Sequence, residues 1–133
     1  DMLVLQFGLI ATSHRSTQKQ LQHYVTQMSK VVETLKRCYP NATILIVSMS
    51  DRDQRSGGEI KTMKGVEELV SYQQLLAADN KVAFFNLFEA MGGNGGISKM
   101  AQKGMAGKYY THINFKGGAY LAKKLYDGIM AGK

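Results

Sequence analysis

A histidine precedes the last predicted helix of the chain, within residues 108–118 (KYYTHINFKGG). His112 suits general base catalysis, because a histidine side chain ordinarily titrates near neutral pH. Asn114 belongs to the residue types that commonly cap the first turn of a helix. From residue types alone, two interpretations of His112 stay open: a catalytic base held at a helix start, and an ordinary loop histidine.

Serine is the nucleophile that such a base would activate, and Ser13, Ser48 and Ser50 follow predicted strands. None of them lies in the G-x-S-x-G pattern that raises a serine above a sharp strand-to-helix turn. Serine at a strand end is commonly a turn or capping residue. The sequence therefore favours turn roles for these serines over a nucleophile.

Patterns for metal or phosphate binding are incomplete. Asp51 and Asp53 lack a third ligand at a suitable spacing, and we predict a solvated loop with local ion pairs for the charged residues 51–60. The glycine run at residues 92–96 fits neither the P-loop nor the dinucleotide-binding pattern. We interpret it as part of a flexible wall of a substrate cleft, and we expect no metal and no cofactor.

Charge and composition exclude some classes of partner. The formal net charge is +7, but the basic residues are scattered and do not alternate with aromatic residues, so we expect no nucleic acid partner. No apolar run reaches the roughly 20 residues that span a bilayer, and we expect no membrane span. Cys38 is the single cysteine, which excludes an intrachain disulfide.

Three short apolar runs predict buried strands of a parallel sheet, at residues 2–7, 43–48 and 82–88. Apolar positions three and four apart predict helices over residues 17–37 and 63–79. A third predicted helix follows His112. It has these apolar residues on one inward side: Phe115, Ala119, Ala122, Leu125, Tyr126 and Ile129.

Alternating strands and helices predict an α/β fold, a three-layer α/β/α sandwich around a flavodoxin-like parallel sheet. We predict one domain over residues 1–133. A sheet of three strands is small for this class, and Asp1 opens directly onto an apolar run, so we expect the domain to be incomplete at its N-terminus. In an open parallel sheet, the active site lies at the carboxyl ends of the strands.

Two segments resemble the SGNH-type (GDSL-like) ester hydrolases. Residues 108–118 resemble the last sequence block of that family, in which an acid and a histidine are spaced D-x-x-H before an asparagine, a glycine and an apolar helix. Residues 1–11 (DMLVLQFGLIA) resemble its third block, where a buried strand ends in Gly-x-Asn. The order of strands and helices between the two blocks agrees, so the resemblance covers essentially the whole chain.

The resemblance implies that His112 is the catalytic histidine and that Gly8 belongs to the oxyanion turn. Two positions depart from the family pattern. Ile10 replaces the asparagine that donates to the oxyanion, and Tyr109 replaces the acid, although tyrosine is not an anion at neutral pH. The family's serine and second glycine belong to blocks that this chain does not contain. We therefore expect residues 1–133 alone to be inactive.

For the full-length protein, the resemblance implies a serine–histidine ester hydrolase that acts without a cofactor on an acylated carbohydrate or lipid. Such substrates favour a periplasmic or secreted location. Ile10 and Tyr109 motivate an alternative, a catalytically degenerate binding or structural domain. A nucleotide-binding flavodoxin-like module is a third interpretation.

Overall fold

A computed structural model describes residues 1–132, which form two compact units. The first unit comprises Asp1–Met49 and Lys64–Asn86, and the second comprises Ser50–Met63 and the residues from Leu87 onward. Among the described residues, no helix combines the length and apolar character that crossing a membrane requires. The strands are β1 (Met2–Gln6), β2 (Thr43–Val47), β3 (Asp53–Ser56), β4 (Glu59–Thr62) and β5 (Ala83–Phe85). The helices are α1 (Gln18–Cys38), α2 (Val66–Asp79), α3 (Leu87–Ala90), α4 (Gly96–Gln102) and α5 (Phe115–Ala131).

A parallel sheet organises the first unit, with β2 between β1 and β5. Its register pairs Leu3 with Ile44 and Leu5 with Ile46, which places these side chains on the same face. The predicted α/β class with a parallel sheet is confirmed. The strand predicted over residues 82–88 is shorter than expected, because the chain after Asn86 turns into α3.

Helix α1 starts and stops where the sequence predicts. The Thr17 hydroxyl accepts a hydrogen bond from the Gln20 N–H at 3.3 Å, and the Gln20 side chain accepts one from the Thr17 N–H at 3.0 Å. This reciprocal pair satisfies two N–H groups that have no partner within the helix. At the other end Pro40, which cannot continue a helix, follows the C-cap residue Tyr39.

The core of the first unit lies between the sheet and the helices α1 and α2. Its fully buried members are Val32 of α1, Ile44 and Ile46 of β2, and Leu76 and Ala77 of α2. Both helices therefore cover the same face, as successive crossovers of one hand require when a sheet grows in one direction. This packing fixes where β1 and β2 end, and hence where their terminal turns lie.

The second unit contains regular structure that the sequence analysis did not predict. Residues 51–60 do not form a solvated loop: β3 and β4 pair as an antiparallel hairpin. Helix α4 begins at Gly96, the last residue of the glycine run that was interpreted as part of a flexible wall. Gly93 and Gly95 have φ angles of +70° and +72°, so the glycines provide left-handed turns between short helices.

Helix α5 buries only part of the predicted face: of the six residues predicted to point inward, Leu125 and Ile129 are half-buried and the other four are exposed. Gly117 and Leu121 are buried and Leu125 is half-buried, whereas Phe115 is 99% exposed. Ala119, Ala122 and Tyr126 are also exposed. The apolar residues of α5 cover a wider arc than one contact can bury, and the close packing at Gly117, described below, selects the buried side.

The outer edge of β1 is an unprotected strand edge. One edge of β1 pairs with β2, and no described strand pairs with the opposite edge. The strand carries no proline and no charge. Val4, on the face away from α1 and α2, is 52% exposed. Natural edge strands usually carry a charge or a proline that prevents edge-to-edge pairing.

We therefore predict that a chain of residues 1–133 self-associates through β1 and that Val4→Lys suppresses this association. A charge at an exposed position should change stability by less than about 0.5 kcal/mol. The measurement is sedimentation velocity over a range of protein concentrations. Val31→Lys, at an exposed valine of α1, is the matched control and should associate as the unsubstituted chain does. Equal association of the Val4→Lys chain and the unsubstituted chain would contradict the prediction.

Candidate functional site

The residue two positions after His112 anchors the start of α5. Asn114 accepts a hydrogen bond from the Gly117 N–H through its side-chain oxygen at 3.0 Å, which confirms the predicted N-cap. Its side-chain amide donates to the carbonyl of Gly104 at 2.7 Å, and its backbone N–H donates to the carbonyl of Met105 at 3.0 Å. Three hydrogen bonds thus hold the chain directly behind His112.

Gly117 allows this arrangement because it has no side chain. A Cβ atom at Gly117 would overlap the carbonyl oxygen of Met105. The neighbouring Gly118 has no such contact, since a Cβ there would meet nothing within 4 Å. Glycine is therefore a steric requirement at the first position and not at the second.

Hydrogen bonds also fix the loop in front of His112. The Gly107 N–H donates to the His112 carbonyl at 3.0 Å, and the Tyr110 N–H donates to the Gly107 carbonyl at 3.2 Å. The Tyr110 carbonyl in turn accepts from the Asp53 N–H of β3 at 3.0 Å. Tyr110 has a φ angle of +54°, an uncommon conformation for a residue other than glycine. The backbone around His112 is therefore defined by contacts on both sides.

The imidazole of His112 is exposed, and it makes no hydrogen bond or ion pair with any residue between 1 and 132. Both ring nitrogens are consequently available to an external group. An imidazole held on a fixed backbone can accept a proton from a nearby hydroxyl and return it to a leaving group. Its backbone is held in place, while no carboxylate of the described residues holds its ring.

Tyr109 lies in the same loop as His112, three residues before it. Its side chain is 93% exposed, and its carbonyl accepts a hydrogen bond from the Thr111 hydroxyl at 3.2 Å. The side chain therefore extends into solvent and is not packed into the protein. An aspartate at this position would be sterically accommodated.

Gly8 begins a tight turn at the end of β1, in the first unit. The Ala11 N–H donates to the Gly8 carbonyl at 2.9 Å, and Gly8 has a φ angle of +114°. A Cβ atom at Gly8 would lie 3.0 Å from the side-chain nitrogen of Gln73 and 3.2 Å from Leu69. Both the backbone conformation and the tight packing therefore favour glycine here.

Gln73 of α2 is a residue that the sequence analysis missed. Its side chain is fully buried, accepts a hydrogen bond from the Met49 N–H at 2.8 Å and donates one to the Phe7 carbonyl at 2.9 Å. The amide thus joins the chain just after β1 to the chain just after β2. A signal was present, because Gln73 is a polar residue on the inward apolar stripe of α2.

Ile10 lies within the turn that Gly8 begins, and its side chain is 94% exposed. The Ile10 side chain is therefore not part of the core of the first unit. This apolar side chain is in contact with solvent and cannot donate a hydrogen bond. The turn itself is intact, because the Gly8 to Ala11 hydrogen bond does not depend on the side chain between them.

Asp51 and Asp53 are buried, in contrast to the solvated loop that the sequence analysis predicted. The Asp51 carboxylate accepts hydrogen bonds from the Thr62 hydroxyl and the Ile97 N–H, both at 2.9 Å. Asp53 accepts one from the Ser98 hydroxyl at 2.5 Å, and its other carboxyl oxygen is buried without a partner. These two carboxylates therefore hold the first turn of α4.

Burial raises the pKa of the Asp51 carboxyl to about 6, and the neighbouring Asp53 carboxyl adds to the rise. The hydrogen bonds from Ile97 and Thr62 act in the opposite direction, because they stabilise the anion. Asp51 therefore changes its charge close to neutral pH, inside the unit that carries His112.

The three serines considered as nucleophiles have local roles. The Ser13 hydroxyl accepts a hydrogen bond from the Arg15 N–H at 3.2 Å, and the fully buried Ser48 hydroxyl donates to the Met49 carbonyl at 3.1 Å. Ser50 is half-buried. Within residues 1–132, no group of three or more histidine, cysteine, aspartate or glutamate side chains is arranged to hold a metal ion.

Comparison with solved structures finds the same fold in a protein described as a peptidoglycan O-acetylesterase. The TM-score is 0.86, the sequences are 21% identical, and the match covers 98% of this chain. The likeness establishes the fold. This chain spans 37% of the length of that chain. No protein-family model matches the sequence, and no curated protein matches it at a significant level.

The contact between Gly117 and Met105 gives a stability prediction. Gly117→Ala should lower the free energy of unfolding by about 1–3 kcal/mol, because the added methyl group must displace the Met105 carbonyl. Gly118→Ala is the matched control and should raise it by about 0.5–1 kcal/mol, since alanine is the better helix former. Denaturant unfolding measures both. Equal effects of the two substitutions would contradict the steric account.

The Asp51 carboxyl gives a pH prediction. Because its pKa is raised above the ordinary 3.8 to about 6, the folded chain keeps a proton that the unfolded chain releases between these values. Its contribution to stability is therefore present below about pH 4 and is lost as the pH rises to about 6. We expect Asp51→Asn to remove this part of the pH dependence of Tm, at the cost of one hydrogen-bond acceptor.

Asp79→Asn, at an exposed aspartate of α2, is the control and should leave the pH dependence unchanged. Thermal unfolding followed by circular dichroism from pH 4 to pH 7 measures all three chains. Parallel curves for Asp51→Asn and the unsubstituted chain would show that the buried carboxyl does not titrate in this range.

Proposed function

We propose that this chain is the histidine-bearing part of an SGNH-type ester hydrolase, and that the complete protein removes acyl groups, most simply acetyl groups, from a glycan. The proposal is supported by the shared fold with a peptidoglycan O-acetylesterase. It also agrees with the two sequence segments that resemble the family, around Gly8 and His112. A lipid ester is the other substrate class that this resemblance allows.

The observation on which the proposal mainly rests is that the chain holds the backbone of His112 in place and leaves its imidazole exposed. Its backbone is held by the Gly107 hydrogen bond and by the capped start of α5, while its imidazole is exposed and without a partner among the described residues. In the proposed reaction, the imidazole takes the proton of a serine hydroxyl as the serine oxygen bonds to the ester carbonyl carbon. It then protonates the departing alcohol, and water releases the acyl group in the same way.

The nucleophile in this proposal is a serine other than Ser13, Ser48 and Ser50, whose hydroxyls lie in turns or in the core. The donors that stabilise the oxyanion are backbone N–H groups, including those of the turn at Gly8, because the Ile10 side chain has no N–H or O–H group. No cofactor takes part. A glycan substrate of this kind favours a periplasmic or secreted protein.

Ile10 and Tyr109 should make the enzyme slow. Loss of one oxyanion donor typically costs about 10²–10³ in rate. Loss of the carboxylate that orients the histidine can cost about 10⁴. The alternative function, a binding domain derived from such an enzyme, is favoured by these same residues, because each presents an apolar or aromatic side chain to solvent where a catalytic polar group would stand.

Restoring the family residues tests the proposal. In the complete gene product, we expect Tyr109→Asp to raise the rate of acetate release from O-acetylated peptidoglycan by as much as about 10⁴-fold, because a carboxylate would orient His112. Ile10→Asn should raise it by about 10²–10³-fold. His112→Ala should reduce the release to the uncatalysed background in every variant.

The matched controls add the same groups elsewhere on the surface. Tyr126 lies eleven residues along α5 from Phe115, which is about 16 Å at 1.5 Å per residue. Tyr126→Asp should therefore not change the rate. Leu75→Asn, at an exposed leucine of α2, should not change it either. If neither restored residue increased acetate release, or if His112→Ala left the release unchanged, the binding domain would be the better interpretation.

A further inference from the structure

An open groove runs along the first turns of α1, within the first unit. Its volume is about 660 Å³, within the range of ligand-binding clefts. It begins at Ala11, the last residue of the turn that Gly8 starts. The polar and aromatic residues along it include Lys19, Gln20, His23, Tyr24 and Gln27, together with two serines near its start. The groove is therefore continuous in the chain with the proposed oxyanion turn.

This part of the chain is positively charged. Residues 2–32 contain no aspartate or glutamate, but they include Arg15, Lys19 and Lys30. Neither Arg15 nor Lys19 has an ion-pair partner within residues 1–132. The positive charges of Arg15 and Lys19 are therefore not neutralised by an ion pair within the described residues.

Lys19 lies at a position in its helix where a negatively charged side chain would be more stabilising than a positively charged one. It lies in the first turn of α1, which contains no acidic residue. The N-terminal end of a helix carries a partial positive charge and is stabilised by acidic side chains, so a lysine there is unfavourable for the fold. An anionic ligand in the groove would give this lysine a role that folding alone does not.

Other side chains supply hydrogen bonds and an apolar surface. Lys19, His23 and Gln27 follow at steps of four residues and therefore lie in a row along the helix. The Tyr24 ring packs on Phe7, the residue before Gly8, with a centroid distance of 6.1 Å. Burial raises the pKa of the Tyr24 phenol, which therefore stays protonated and able to donate a hydrogen bond.

We propose that this groove binds an acidic glycan strand, with Lys19 contacting a sugar carboxylate and His23, Tyr24 and Gln27 contacting the sugar rings and hydroxyls. The choice of a glycan rests on the proposed function. A nucleic acid is less suited to this groove, because its single aromatic residue and sparse cations do not provide successive stacking and phosphate contacts.

The test is isothermal titration calorimetry of the chain at low ionic strength with two probes. One is soluble peptidoglycan strands without acetyl esters and with free lactyl carboxylates, and the other is chitohexaose, a neutral strand of similar sugars. We expect tighter binding of the acidic strand. Lys19→Glu should weaken it about tenfold or more, the effect of losing one charged contact, and should leave chitohexaose binding unchanged.

Lys30→Glu is the matched control, because it makes the same charge change on an exposed residue of α1 that does not line the groove. It should weaken acidic strand binding less than twofold. Lys19→Glu should also raise Tm, since it places an acid in the first helical turn, so lost binding cannot be attributed to misfolding. Gln27→Ala should weaken both probes.

Equal binding of the two probes, or equal losses from Lys19→Glu and Lys30→Glu, would overturn the proposal. Tighter binding of single-stranded DNA with the same dependence on Lys19 would indicate a nucleic acid groove and also overturn it. The probes carry no acetyl ester, so this experiment does not require hydrolysis. Failure of the esterase proposal would leave strand binding measurable, and failure of the groove would leave hydrolysis dependent on His112.

Discussion

The Met105 carbonyl approaches Gly117 so closely that only a glycine fits between the two segments. The same carbonyl accepts the N–H of Asn114, whose side chain caps α5. One carbonyl therefore sets both where α5 begins and which side of it is buried. His112 lies two residues before this cap, and its position follows from the contact. Its imidazole is exposed.

A buried polar side chain has the equivalent role in the first unit. Gln73 bridges Phe7 and Met49, so the turns that follow β1 and β2 are held at a fixed separation by one amide. Gly8 is packed against that amide. A buried amide that satisfies two backbone groups is costly to replace, because loss of either bond leaves a polar group unpaired in the core. The turn that Gly8 begins is thus held by buried contacts, although the Ile10 side chain within it is exposed.

Local patterns were sufficient for the sheet and the long helices. Continuous apolar runs identified β1 and β2, apolar residues three and four apart identified α1, and the capping residue Asn114 marked the start of α5. Long-range hydrogen bonds explain what was missed. Asp51 is buried because Ile97, 46 residues later, donates to it. No local pattern reports such a partner, and the charged residues around Asp51 gave the appearance of a solvated loop.

The candidate site was predictable only in part. His112 was identified from its position before a capped helix and from the family resemblance. The face that α5 buries was predicted only in part, because an apolar stripe does not reveal a close backbone approach such as that at Gly117. Gln73 carried a visible signal, a polar residue on an inward apolar stripe, but its two backbone partners depend on the packing of α2 against the strand ends.

Labelling of the complete gene product with a fluorophosphonate, followed by peptide mapping, tests the central claim most directly. Such a reagent bonds to a serine oxygen only when a neighbouring base activates it. The account predicts one labelled serine, distinct from Ser13, Ser48 and Ser50, and loss of the label in His112→Ala. Absence of labelling, or labelling that persists without His112, would contradict the assignment of His112 as the general base of an ester hydrolase.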